Sequence, residues 1–302
     1  PAFHDIEVER GIVLEEILEH LDDKGRQVDP DNLSRKQIYP KHALGFTITG
    51  TADRVKSFSR QSLRRHHARH YTGAASVLAF SGAIEPKAVF RTAERAFSRL
   101  PPGSPVRAIA PEHAQKRARL KVVDSVASQV DLRIAFRAFA ENSEHRPALD
   151  MLLRLLDDGM STRLYHRLCD DQGLCYDVSA NFDGYEDDGV VDFAAGVVHE
   201  NLVTVTREIL ALMTELAQDG PTQDELDKAR HRNAWEVRSM LDSPEDLAGF
   251  YAGGHLFGRF ETPHERLAAN RAVTPAQIRE LVRALARPER LNMLVVGSLD
   301  AR

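Results

Sequence analysis

The sequence predicts an α+β fold, in which strands and helices mix without the regular alternation of a doubly wound parallel sheet. Three observations carry that prediction. Val130, Leu132, Ile134 and Phe136 alternate with Asp131, Arg133, Ala135 and Arg137, the period-two pattern of a strand with one face buried. Tyr176 to Phe182 and Val190 to Val197 read as two strands separated by the turn-rich stretch Asp183 to Gly189, as in a hairpin. Ser59 to Ile84 lies without gaps on Thr274 to Leu299, placing Leu63 on Ile278, Arg64 on Arg279, Leu78 on Met293 and Gly82 on Gly297. Both segments read helix, short turn, strand, glycine, the sign of an internal repeat.

The elements follow in order. From Asp5 to about Asp23, Ile6, Ile12, Val13, Ile17 and Leu21 recur at near-helical spacing among acids, predicting one amphipathic helix with an acidic polar face. A loop rich in Asp, Pro and Gly runs to about Gly50, followed by a helix over Ser59 to Tyr71, a strand over Ser76 to Gly82 and a helix opened by Glu85 and Pro86. Leu100 to Ala114 holds four prolines and one glycine and is the best domain boundary. It divides the chain into 1–100, a linker over 101–117, and 118–302. Beyond it, helices are expected over Arg146 to Asp157 and Ser161 to Cys169, then the hairpin, then mostly helix from Asn201 to Ala286, and a closing strand over Leu291 to Val296. If the second unit starts near Arg119, a first unit of equal size would start roughly 100 residues before Pro1, so the first unit is expected to be incomplete at its N-terminus.

Composition narrows the function. With 302 residues, 42% hydrophobic and 28% charged, the chain has the balance of a globular protein of two domains. Its 45 acids and 40 bases are interspersed, which gives no basic footprint for nucleic acid. No apolar run approaches the roughly 20 residues of a membrane-spanning helix. Two cysteines, Cys169 and Cys175, match neither a zinc nor a redox spacing and read as packing residues. The opening residues have no signal-peptide pattern, and the compartment stays open between cytoplasm and periplasm.

Few residues promise chemistry. Glu9 and Glu16 are seven apart and so share one helical face, where one carboxylate can ligate a metal and the other support it. The plainer reading is a solvated acidic face near a helix start. His66 and His70 in HHARH are four apart, as zincin histidines are, but Arg69 stands where the inverted motif needs glutamate. A guanidinium repels a metal and is no base at neutral pH.

VERGIVLEEI (Val8 to Ile17) resembles the helix that follows the inverted zinc motif His-x-x-Glu-His in pitrilysin/insulinase-family peptidases. The similarity continues through HALGFTITGT (His42 to Thr51), HYTGAASVLAFSGAI (His70 to Ile84), DDGMSTRLYHRL (Asp157 to Leu168), GLCYDVSA (Gly173 to Ala180) and PTQDELDKAR (Pro221 to Arg230), in the family's order. The resemblance implies two homologous α/β-sandwich domains, with helices packed on mostly antiparallel sheets. It makes Glu16 the third zinc ligand and Glu9 a supporting carboxylate needed for catalysis. The two histidines and the general-base glutamate belong roughly 80 residues upstream of Glu16, so this chain alone is expected to be inactive. Tyr176 matches the family's substrate-contacting tyrosine, whereas Cys169 stands in place of its paired arginine.

The resemblance therefore implies a Zn²⁺-dependent metalloendopeptidase subunit that encloses peptides in a chamber of two halves. Its partner is a homologous subunit or a second copy of this chain. The alternative is a non-catalytic homologue, a chamber wall or peptide-binding assembly partner. An unrelated α+β interaction module requires all six similar stretches to be coincidental.

Overall fold

The computed structural model describes residues 3–105 and 108–298. Pro1, part of the linker and Leu299, where the matched repeat ends, lie outside the described residues. Eight elements come first. They are α1 (Ile6–Glu19), α2 (Pro30–Ile38), α3 (Ala52–Ser57), α4 (Arg60–His70), α5 (Pro86–Phe97), β1 (Arg119–Asp124), β2 (Val130–Arg137) and α6 (Arg146–Leu156). A single turn, α7 (Arg163–Tyr165), runs into a π-helical turn over His166–Asp170. Then come β3 (Cys175–Gly184), β4 (Gly189–Val197), α8 (Leu202–Gln218), α9 (Gln223–Asp242), α10 (Pro244–Leu256), α11 (Pro263–Ala272), α12 (Pro275–Leu285) and β5 (Leu291–Gly297).

The α+β fold is as the sequence predicts. The five strands form one sheet in the order β1-β5-β2-β4-β3. β1 runs parallel to β5 and the other pairings are antiparallel, with β3 and β4 forming the hairpin. Leu132, Ile134 and Phe136 of β2 point into a core filled by α6, α8 and α12, where Leu149, Leu152, Ile209, Leu212, Ile278 and Leu285 are all at most 1% exposed. Each such burial contributes about 1.5–3 kcal/mol, so the largest share of apolar stabilisation lies around this sheet.

The other face of β2 differs from expectation. Its alternation predicts one buried face, yet Ala135 is fully buried and Arg137 is 3% exposed. The cover is α2, in the stretch read as loop. Asp29 caps it by accepting from the Asn32 amide at 2.7 Å, and Pro30 takes the first helical position. Leu33 packs on Leu294 and Val296, and Ile38 and Tyr39 pack on Ala135 and Val190. A helix over residues 30–38 thus closes the other face of the sheet.

The expected strand over Ser76 to Gly82 does not form. The segment is extended, and no described strand pairs with it. α4 and α12 both open with reciprocal capping boxes, at Ser59 and Thr274, and both segments end on glycines of positive φ, 129° at Gly82 and 159° at Gly297. β5, however, has β1 and β2 as neighbours, whereas the segment over Ser76 to Gly82 has none among the described residues, and a ladder needs a second strand. Ser161 to Cys169 also departs from a regular helix, forming only α7 and the π turn.

Candidate functional site

Glu9 and Glu16 are fixed by α1. Seven residues on a helix of 3.6 residues per turn return to the same face, so both carboxylates project to one side while Glu15 is turned by about 100°. Arg10 docks the helix. Its guanidinium donates to the carbonyls of Val55 and, at 2.9 Å, of Phe58 at the C-terminal end of α3, and to Glu7 at 3.0 Å. That bond holds the Glu7 carboxyl below its ordinary range.

So placed, Glu9 and Glu16 line one cleft of about 480 Å³ together with His4, Val13, Ile48, Phe58 and Leu63. Both are exposed. The one arginine on the cleft, Arg10, is engaged by Glu7 and the α3 carbonyls, which leaves two carboxylates against an apolar wall, an arrangement that attracts a cation. Two carboxylates do not close a zinc site, which takes at least three protein donors. Among the described residues no three His, Cys, Asp or Glu side chains converge to hold a metal. This chain's residues therefore fit a donor and its support, not a complete zinc centre.

HHARH remains outside any such group. The His66 and His70 rings lie with centroids 4.4 Å apart, tilted by 35°, on the solvent side of α4. Tyr176 belongs to another part of the molecule and does not line the α1 cleft. It sits at a β-bulge between Cys175 and Asp177 and is 95% exposed, so it is no half-buried strand tyrosine. The extra residue of a bulge re-aims the side chain it carries, here into solvent. Cys169, in the arginine's place, is half-buried in the π turn.

One cluster had no strong signal in the sequence. Arg137 and Asp188 form a buried ion pair at 3% and 1% exposure, and Arg137 also donates to the Glu112 carbonyl at 2.6 Å and lies 5.1 Å from the Tyr39 ring centre. Burial pushes the Tyr39 hydroxyl upward, and burial together with Arg137 pushes the His113 imidazole downward. The cluster ties α2, the linker and the sheet together. An arginine alternating on a strand's polar face was its only sequence trace.

Comparison with known proteins bears on the whole chain. The family model described as the peptidase M16 inactive domain matches residues 57–233. An uncharacterized zinc protease of Streptomyces coelicolor is 27% identical over 302 residues, which cover 98% of this chain and 65% of that protein. One of Mycobacterium tuberculosis is 30% identical over 290 residues, covering 94% and 65%. The chain thus spans 65% of the length of these relatives. Among solved structures, a peptidase M16 inactive domain from Pseudomonas fluorescens superposes with a TM-score of 0.90 at 18% identity, covering 99% of this chain and 72% of that one.

Proposed function

The chain belongs to the peptidase M16 family, and from that premise we propose that it is the zinc-side part of a metalloendopeptidase, with Glu16 as a metal ligand and Glu9 supporting it. The observation that carries this reading is the convergence of both carboxylates, from one face of α1, on a single cleft. No His-x-x-Glu-His run occurs in these 302 residues, so the two imidazole donors and the general base come from a segment outside them. Bound zinc supplies a Lewis acid for the peptide carbonyl and acidifies a water. The residues of this chain hold and orient. Val13, Ile48 and Phe58 form the apolar side of the cleft beside the carboxylates, and Tyr176, aimed outward by its bulge, contacts the peptide.

The substrate is an unfolded or short peptide enclosed between two halves, the second being a homologous subunit or a second copy. The first unit supports such completion. Leu78, Phe80, Phe90 and Phe97 are 48–70% exposed there, on a strand-like segment and a helix that lack a sheet. No described helix is long and apolar enough to cross a membrane.

Expression of the complete gene product and its Glu16→Gln and Glu9→Gln variants tests the assignment. The parent is expected to bind one zinc per active site and to cleave a quenched fluorescent peptide. Glu16→Gln should lower both zinc affinity and rate by at least about 100-fold, and Glu9→Gln should lower the rate about 10–100-fold with zinc retained. Full zinc affinity in Glu16→Gln overturns the ligand role. A second reading, a non-catalytic chamber wall, is favoured by the inactive-domain description of the matched model and by Cys169 in the arginine's place. A gene product that binds peptide but neither zinc nor cleaves it would establish that reading.

A further inference from the structure

Two helices far apart in the chain are docked in the same way. Arg10 of α1 pairs with Glu7 at 3.0 Å and donates at 2.9 Å to the carbonyl of Phe58, the residue before the cap of α4. Arg230 of α9 pairs with Asp227 at 2.7 Å and donates at 2.6 Å to the carbonyl of Val273, the residue before the cap of α12. The match runs along both helices at one constant spacing, so that Ile17 falls on Val237, each 7% exposed, and Glu16 falls on Glu236. A second cleft, of about 320 Å³, lies beside α9. Asn233 and Glu236 of α9 and Asn270 of α11 line it, in the places that Val13 and Glu16 of α1 and Val55 of α3 hold in the first.

What faces the glutamate differs between the two. α6 packs on α9, and its Arg154 guanidinium bridges two carboxylates, donating to Asp158 at 3.1 Å and, from α6 to α9, to Glu236. Arg232 of α9 fixes the arrangement by donating to Asp158 and to the Arg154 carbonyl, both at 2.8 Å. Among the described residues no helix takes the place of α6 beside α1.

We propose that the α9 cleft is a second copy of the α1 metal site, filled by a built-in cation, the Arg154 guanidinium, where the first takes a metal ion. A guanidinium stays protonated in proteins, so Glu236 and Asp158 are neutralised from within the chain at every working pH. The same fixed charge repels a divalent ion, and the native protein therefore carries no second metal centre in this cleft. The ion pair instead joins α6 to α9. The correspondence of the clefts stands on their contacts; calling the first a metal site rests on the proposed function.

Replacing the guanidinium by a neutral donor tests the inference. Arg154→His leaves an imidazole with Asp158 and Glu236, three donors of the kinds that zinc takes. In titrations of the 302-residue protein with Zn²⁺ against a chromophoric chelator, this variant is expected to bind one ion more than the native protein. Adding Glu236→Gln should weaken that site at least about 100-fold. A folded Arg154→His that gains no zinc, or a gain that survives Glu236→Gln, overturns the proposal. So does an equal gain in Arg167→His, whose guanidinium bridges Glu208 and Glu215 outside both clefts. Melting curves give a readout without metal. Arg154→Lys keeps the charge and should recover most of the melting temperature lost in Arg154→Met; a lysine variant no better than the methionine one also overturns the built-in cation. Full zinc affinity in Glu16→Gln of the complete gene product removes the metal from the first cleft and leaves the Arg154 results of the second standing.

Discussion

Charged residues in this chain work mainly through fixed partners, and Glu225 shows how. Arg163 donates to both of its carboxylate oxygens, at 2.7 and 2.9 Å, and the Thr222 amide donates at 2.8 Å. The Arg163 bond, aided by Thr222, brings the Glu225 carboxyl down to about 2 against an ordinary 4.5. A depressed carboxyl adds stability above its unfolded pKa and loses it as pH falls through the folded value. Glu225→Gln should therefore lower the melting temperature at pH 7, with the difference shrinking from about pH 5 and gone near pH 2. Melting curves of both proteins across that range check it, and a pH-independent difference would assign the loss to packing instead. Arg137 differs in being buried. Removing one member of a buried pair leaves an uncompensated charge, whereas a surface pair contributes about 0–1 kcal/mol.

At the scale of elements, α2 decides how the two stretches of chain meet. Its Leu33 is 4% exposed against Leu294 and Val296 of β5, so Leu33→Ala should cost about 2–5 kcal/mol in denaturant unfolding. A cost under about 0.5 kcal/mol would mean that α2 is only loosely held. The loop reading of this stretch overlooked a local signal, Asp29 before Pro30, which marks a helix start. α1 has the opposite character. Its apolar residues are spread around the helix, so that Ile17 is buried while Val8, Ile12 and Leu18 are 49–62% exposed. The seven-residue spacing of Glu9 and Glu16 was legible because helix geometry alone puts them on one face. That the face borders a cleft depends on Arg10 reaching α3, a contact 45 and 48 residues distant in sequence.

At the scale of the molecule, stability is unevenly distributed. α4 and α5 contain no buried residue, whereas α6 alone contains six. Local opening is easiest where few apolar groups are buried. Limited proteolysis should cut first within residues 60–100 and leave a resistant product that contains β1 to β5, as mass mapping of the earliest fragments would show. First cuts inside α8 or α9 would contradict that order. We propose that the proline-rich stretch over 101–117 divides two units, although α2 of the first packs on the sheet of the second. Arg137 ties that stretch down through the Glu112 carbonyl, and Gln115 does so by donating to the Leu291 carbonyl at 2.9 Å.

Sequence by itself determined the α+β class, the inward strand face in the main core and the placement of Glu9 and Glu16 on one helical face, because each follows from periodicity along the chain. Tertiary structure alone decided that α2 buries the second face of β2, that the segment over Ser76 to Gly82 pairs with no described strand, and that Tyr176 is turned out by a bulge. These depend on which surfaces meet and which backbone groups find partners. A one-dimensional pattern states that a face is apolar or a strand is possible; only the folded chain supplies what lies against it.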